Sequence, residues 1–214
     1  MKIDNRWFMP VIIIIMLLVS LVLYPSLPDV LPRQWGFNGE VNSTWPKLYA
    51  VLFAPALATA IWVLTYILPK IDPRREQYEK FGKSYLRVRQ GIVVFMLGMH
   101  ILTLTQYDNP QAIVKLILFA VATMFAYIGN EMGRFRPNWF VGIRTPWTMS
   151  DERVWKQTHR IGARYFVAAG VLNMITALIL PVPIAGTIFI VTLMAVSIGT
   201  VAYSYFVWRK LNQA

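Results

Sequence analysis

Six long apolar blocks, separated by short polar segments, dominate the hydrophobic pattern of the chain. Each is close to the ~20 residues that an α-helix needs to cross the hydrocarbon core of a bilayer. The blocks are Trp7 to Leu27, Leu48 to Leu68, Leu86 to Gln106, Gln111 to Asn130, Ile161 to Leu180 and Ile184 to Trp208. This pattern predicts an all-α fold, a polytopic transmembrane helix bundle with about six spans.

The first apolar block also has the basic flank that precedes a secretory signal peptide, because Lys2 and Arg6 lie before it. No small-residue cleavage site follows the block, and five further apolar blocks come after it. We therefore interpret it as a retained first span.

Composition supports membrane insertion, and the distribution of charge predicts the orientation. Of the 214 residues 57% are hydrophobic and 14% are charged, and the net charge is +11. Of the 21 Lys and Arg residues, 18 lie in the two terminal segments and in residues 70–90 and 131–164. Positive charge marks the cytoplasmic side, so both termini are predicted to be cytoplasmic in a bacterial plasma (inner) membrane. Contact with anionic membrane lipids then accounts for the charge, and direct nucleic-acid binding is not needed.

Motifs for catalysis, cofactors and metals are missing from the sequence. There is no cysteine, and the two histidines, His100 and His159, are far apart along the chain. No nucleotide-binding glycine loop or serine nucleophile elbow occurs. We therefore predict a protein that is not an enzyme and has no cofactor or metal. His100 and Asn173 lie inside apolar blocks, where they could line a substrate path or bond a neighbouring helix, and the second role is commoner.

The segment 27–47, between the first two blocks, is the one sizeable loop predicted outside the cell. Pro28 and Pro32 favour extended structure, and Gly36 and Gly39 indicate turns. These signals predict a hairpin-like cap that its aromatic residues seat on the lipid headgroups. Alternatively, the loop is a surface that meets a molecule outside the cell. The candidate contact residues are Trp35, Asn38 and Glu40.

The segment 70–90 has the spacing of an amphipathic helix. Tyr78, Phe81 and Tyr85 recur at intervals of three and four residues among charges of both signs. We expect a helix that lies on the membrane with these aromatics toward lipid. A docking face for a cytoplasmic protein is the alternative.

The segment 129–166 holds the densest group of candidate residues. Thr148 and Asp151 have the spacing of a capping box that would begin a short helix. On that helix Trp155 and His159 lie four residues apart and therefore on one face. Arg144 lies in the sequence GIRTPW, where it could bind a phosphate, stack on a ring or brace the loop.

Two of these segments resemble known bacterial membrane families. The loop LPDVLPRQWGFNGEVNSTWPK resembles the DUF1648 domain, except that Gln34 stands where that family usually has histidine. The segment 129–166 is similar to the signature of the SdpI family. It has GN, M and G within 129–133, PN at 137–138, GIRTPWT at 142–148 and W with TH within 155–159. The resemblance divides the chain into a DUF1648-like region (1–70), a cytoplasmic amphipathic segment (71–90) and an SdpI-like region (91–214).

The resemblance implies an integral membrane immunity protein. Such proteins protect a cell from a secreted peptide toxin that delays sporulation, and the best-studied type also holds a cytoplasmic transcriptional repressor at the membrane. The loop 28–47 would then face the toxin. Asn138, Arg144, Trp147, Trp155 and His159 would form the docking surface for the repressor. The alternatives are a transporter that exports a peptide or lipid-like compound, and a lipid-modifying enzyme, which would need clustered acids or histidines that the chain lacks.

Overall fold

The computed structural model describes residues 7–213 and confirms the all-α membrane fold. Within that range six helices are long and apolar enough to cross a membrane. The helices are α1 (Phe8–Leu23), α2 (Lys47–Ile71), α3 (Gln77–Thr105), α4 (Pro110–Met132), the short α5 (Pro146–Ser150), α6 (Glu152–Ile179) and α7 (Val182–Asn212), with a β-hairpin of β1 (Val30–Trp35) and β2 (Val41–Pro46). Lys2 and Arg6, two of the basic residues that predict the orientation, lie outside the described residues. The cytoplasmic location of the termini stays a prediction.

Two of the spanning helices begin earlier than their apolar blocks. Helix α3 starts at Gln77 instead of near Leu86, and α6 starts at Glu152 instead of near Ile161. In both cases an amphipathic segment continues the span as one helix. Apolar residues of both segments are buried in one cluster at the same end of the bundle, so these helices continue beyond the long apolar blocks.

The helices form two groups joined by α3 and α4. Helices α1, α2 and α3 pack together, and α4 packs against α6, which in turn packs against α7. The α4–α6 contact is close because glycines face it. A Cβ on Gly170 would meet the backbone at Ala126, and one on Gly129 would meet Phe166 and Val167. Small residues allow such close approach between membrane helices.

The predicted hairpin is present, but its aromatics contact protein. Strands β1 and β2 pair antiparallel, with irregular register between Pro32 and Trp35. The tip lies across the bundle, since Phe37 contacts Gly186 on α7 and Gly39 contacts Pro110 on α4. Trp35 packs against an apolar cluster at the start of α4 and α7. The prediction that these aromatics are seated on lipid headgroups is therefore corrected for Trp35, because neighbouring helices offer it an apolar surface. For Phe37, which is 40% exposed, it stays a prediction.

The amphipathic segment also differs from its prediction. Tyr78, Phe81 and Tyr85 do share one helical face, but each is at most 7% exposed. They form a cluster with Phe135 from the segment after α4 and with Trp155 of α6. The expected lipid-facing orientation is wrong because the segment that follows α4 covers this face.

Polar residues within the spans join neighbouring helices. His100 on α3 lies 2.9 Å from the Ser20 hydroxyl and 3.2 Å from the Met16 carbonyl on α1. Asn173 on α6 donates to Thr192 on α7 at 2.7 Å. The bundle thus has two ends. We call the end with the hairpin and residues 106–109 and 180–181 the hairpin end, and the end with residues 72–76 and 133–151 the loop end.

Candidate functional site

The GIRTPW sequence is fixed at the loop end by a capping box one turn earlier than predicted. The Thr145 hydroxyl accepts from the Thr148 amide at 3.1 Å, and the Thr148 hydroxyl accepts from the Thr145 amide at 2.9 Å. These bonds cap α5, whereas Asp151 separately caps α6. The predicted Thr148–Asp151 box is wrong because a threonine at 145 supplies the cap. The Arg153 guanidinium bonded to Asp151 lowers the pKa of that carboxyl.

Asn138 is the polar centre of the loop and is fully buried. Its carbonyl oxygen accepts from the amides of Phe140 at 2.9 Å and Val141 at 2.7 Å. Its amide nitrogen donates to the carbonyls of Arg136 and Val141 at 2.8 and 2.9 Å. An asparagine is suited to this position because it offers two donors and an acceptor on one short side chain. Asn138 therefore shapes the loop and is not exposed to a partner.

Asp72 connects this loop to the start of α3, and the sequence analysis did not single it out. Its carboxylate accepts from the Trp139 amide at 2.9 Å, the Tyr78 hydroxyl at 3.0 Å and the Arg74 amide at 2.7 Å. The side chain is buried, at 2% exposure. The signal available in the sequence was an acid directly before a proline at a helix boundary, which indicates only a local cap. Its partner at position 139 lies 67 residues away.

Trp155 and His159 share a helical face, as predicted, but that face is internal. Each is 1% exposed, and their rings stack at 4.0 Å between centroids. The Trp155 indole donates to the Phe135 carbonyl at 2.9 Å. His159 Nε2 accepts from the Ile143 amide, and Nδ1 donates to the Trp155 carbonyl, both at 2.9 Å. These partners require one neutral tautomer.

Gly142 explains how the loop reaches this ring pair. Its φ of +118° is in the left-handed region, and a Cβ there would overlap His159 and touch Trp155. Glycine is therefore required at this position for both reasons. Trp155 and His159 thus support the loop by contacts and hydrogen bonds. Because both are buried, they are not part of a contact surface at the loop end.

The exposed residues of the loop are a smaller set. Arg144 is exposed and donates to the Trp139 carbonyl. Trp139 is 49% exposed, and the half-buried Trp147 packs edge-on against Tyr205 of α7. We call Trp139, Arg144 and Trp147 the loop-end surface. Of the predicted contact residues at this end, only Arg144 and Trp147 lie on it, and Trp139 is an addition.

A basic pocket lies beside the loop-end surface. It has a volume of about 610 Å³ between the start of α3 and the residues after α4. Its cationic lining residues are Lys80, Lys83, Arg87, Arg134 and Arg136. Two of these arginines contact the buried carboxylate of Glu131, at 3.1 Å and 3.3 Å. The pocket therefore keeps an excess of positive charge, which suits the phosphates of anionic lipids.

At the hairpin end the predicted contact residues are divided. Asn38 and Glu40 at the turn are exposed, whereas Trp35 is half-buried on the bundle. Among residues 7–213 no group of three or more His, Asp or Glu side chains is placed to hold a metal ion. The described side chains thus offer contact surfaces at two ends, connected by the spanning helices.

Comparisons with known proteins bear on the family resemblance. Residues 134–204 match the model of the SdpI/YfhL protein family, and residues 11–59 match that of the domain of unknown function DUF1648. The chain is 26% identical over 203 residues to a protein described as Immunity protein SdpI from Bacillus subtilis (strain 168), covering 94% of this chain and 95% of that protein. No solved structure matches. The matches confirm the resemblance. With the six helices they identify a multi-pass protein of the cell membrane.

Proposed function

We propose that this chain, whose residues 134–204 match the model of the SdpI/YfhL protein family, is a membrane immunity protein that protects its cell from a secreted peptide toxin. The observation that carries the proposal is similarity to an immunity protein along 94% of the chain, which includes both the hairpin and the loop. Similarity confined to the loop would give no support for a toxin-facing role of the hairpin. The proposed activity is binding and needs no catalytic group.

The proposed orientation places the hairpin end outside the cell. The hairpin is then the surface that an arriving peptide meets first, with Asn38 and Glu40 exposed at its turn. The basic residues of the loop end then face the cytoplasm, in agreement with the positive-inside rule. Reporter fusions at Gln34 and Lys80 test this orientation. We expect the two reporters on opposite sides of the membrane, and the same side for both would contradict the model.

We further propose that the loop-end surface docks a cytoplasmic transcriptional repressor. Arg144 carries a permanent charge and has no carboxylate in salt-bridge contact among the described residues. Trp139 and Trp147 supply aromatic area of the kind that anchors protein interfaces. The surface is supported from below by Asn138, so it can present one geometry to a partner.

Long helices connect the two surfaces. Helix α3 carries His100 toward the hairpin end and Tyr78 in the loop-end network. Helix α7 carries Gly186, which contacts Phe37 at the hairpin end. It also carries Ser204 at the loop end, whose hydroxyl lies 2.9 Å from that of Thr145. A shift of either helix on toxin binding would therefore move the loop as one unit, with its internal hydrogen bonds kept. This is the route by which we propose that outside binding changes repressor docking.

Survival of toxin-sensitive cells tests the immunity function. The chain is expressed in a strain that lacks its own immunity gene, and cells are exposed to the sporulation-delaying peptide. We expect survival above that of cells with empty vector, at equal growth without toxin. Unprotected cells with normal abundance of the chain in the membrane would contradict the proposal.

Labelled peptide distinguishes the transporter alternative, because export predicts that preloaded cells release it faster when the chain is present.

Membrane recruitment of the repressor tests the docking function. We expect Arg144→Ala and Trp147→Ala to release the repressor from membranes at unchanged abundance of the chain. Lys156→Ala, at an exposed cation on α6, is the matched control and should retain recruitment. Trp155→Ala should lower abundance and toxin protection together, because the indole is buried. Full recruitment by Arg144→Ala would contradict docking on this surface.

A further inference from the structure

A cavity of about 520 Å³ lies beneath the hairpin, between β1 and helices α2 and α3. Its volume is within the range of roughly 300–1,000 Å³ that is typical of ligand sites. The walls are mainly apolar and include Leu31, Phe53, Leu57, Phe95 and Met99. Methionine and aromatic side chains of this kind adapt to irregular apolar ligands. The polar lining residues His100 and Arg33 indicate which kind of ligand the cavity suits.

His100 lines this cavity and has one ring nitrogen without a partner. The Ser20 hydroxyl donates to the Val51 carbonyl at 2.8 Å, so toward His100 it acts as an acceptor. The Met16 carbonyl is also an acceptor. Nε2 of His100 must therefore carry the proton that these two atoms receive, and the neutral ring leaves Nδ1 as a lone-pair acceptor. Nδ1 is buried and has no hydrogen-bond partner in the described structure.

An unpaired buried acceptor of this kind is costly, because it loses its hydrogen bond to water and gains no other. Native structures rarely keep one unless water or a ligand completes it. Because Nδ1 has almost no accessible surface, a ligand that enters the cavity must first displace the side chains that cover it, and it would then gain from placing an N–H or O–H beside Nδ1. An alkyl chain offers no such group, whereas a peptide segment has a donor in almost every residue.

Arg33 provides a second polar group at the hairpin side of the cavity. Its Nε donates to the Ser43 hydroxyl at 2.9 Å, and its guanidinium lies 5.0 Å from the centre of the Trp45 ring. No carboxylate within residues 7–213 forms a salt bridge with it. The remaining guanidinium N–H groups can donate to a carbonyl or carboxylate of a ligand.

We infer that this cavity binds an apolar segment of the secreted peptide, with an N–H of the peptide on His100 Nδ1 and an acceptor of the peptide on Arg33. The inference rests on the proposed immunity function and assigns its outer binding site. The apolar walls hold the side chains of the segment. The two polar groups, a buried acceptor and a cation, complement a peptide and not a hydrocarbon chain.

Binding of the fluorescently labelled sporulation-delaying peptide to the purified full chain in nanodiscs tests the inference. Ala54 lines the cavity, so Ala54→Phe fills it, whereas Ala60→Phe adds the same ring to an exposed position on the same helix. We expect Ala54→Phe to weaken binding at least about tenfold, a change of about 1.4 kcal/mol. Ala60→Phe should leave binding unchanged. Arg33→Gln, at an exposed side chain, should weaken binding about tenfold without lowering the melting temperature.

The outcomes separate this inference from the proposed function. If the original chain protects cells and Ala54→Phe and Arg33→Gln protect equally well, the cavity assignment is overturned and the immunity function stands. If the original chain binds the peptide through these residues but does not protect, the immunity function fails and the site stands. Unchanged peptide affinity in both variants, with loss of co-purified phospholipid from Ala54→Phe, would identify a lipid site and overturn the inference. Absence of peptide binding by the original chain would also overturn it.

Discussion

The two ends of the bundle are held by different kinds of contact. At the loop end, buried polar side chains link distant segments, as Asp72 does with Trp139 and Thr145 does with Ser204. At the hairpin end, the tip rests on helices through apolar contacts of Trp35 and Phe37. Hydrogen bonds require particular distances and angles, whereas apolar contacts are not directional. The loop end is therefore built to keep one geometry, and the hairpin can move over its cavity at smaller cost.

This difference is compatible with the separate roles that we propose for the two ends. A surface that must fit a flexible peptide binds it better if its contacts can adapt. A surface that docks a folded partner binds it better if its geometry is already fixed, because less ordering is needed on binding. If the comparison holds, substitutions in the loop-end network should lower stability strongly, and substitutions under the hairpin should act locally.

Asn138→Ala should have the largest effect. The change leaves the amides of Phe140 and Val141 and the carbonyl of Arg136 buried or half-buried without their partner. Since each unpaired group costs about 1–3 kcal/mol, we expect a loss of roughly 3–5 kcal/mol. The measurement is thermal unfolding of the purified chain, with abundance in membranes as a second readout. The control is Asn130→Ala, at an exposed position on α4, which should melt within a few degrees of the original chain. Equal melting temperatures of the two variants would show that Asn138 is not central to the loop-end hydrogen bonds.

The same residue shows how far sequence reasoning reaches at this site. The PN pair at 137–138 belongs to a recognisable motif, and the six apolar blocks predict the spans because the membrane imposes a length on each. The role of Asn138 depends on its surroundings, because it closes a turn whose neighbours include Tyr78, 60 residues earlier. Trp155 and His159 illustrate the same limit. Their spacing places them on one face, but burial of that face follows from the segment 134–143 folding over it.

Tyr78→Phe should have an intermediate effect. It removes the hydroxyl that donates to Asp72 at 3.0 Å and leaves the ring in its aromatic cluster. We expect a loss of about 1.5–3 kcal/mol, since the bond is to a carboxylate. A double-mutant cycle with Asp72→Asn isolates the bond from the other contacts of each residue. Additive effects would indicate that the two side chains do not interact. Tyr165→Phe is the control, because that tyrosine is 57% exposed and should be neutral.

Gly186→Ala should have the smallest effect, and it probes the apolar seat of the hairpin. A Cβ at this position would lie 2.7 Å from ring atoms of Phe37, so the ring must move. Because Phe37 is 40% exposed, it can swing outward, and we expect a cost below about 1 kcal/mol.

Hydrogen exchange provides the measurement for Gly186→Ala, with faster exchange expected in residues 35–41. Gly199→Ala on the same helix is the matched control, because a Cβ there meets nothing within 4 Å. That change should leave exchange in the hairpin unaltered and stabilise the helix by roughly 0.5–1 kcal/mol. Combining Gly186→Ala with Phe37→Leu should restore slow exchange, since a smaller side chain leaves room for the methyl group. If Gly186→Ala instead lowered stability as much as Asn138→Ala, the hairpin would be as rigidly fixed as the loop. The contrast between an adaptable hairpin end and a fixed loop end would then be lost.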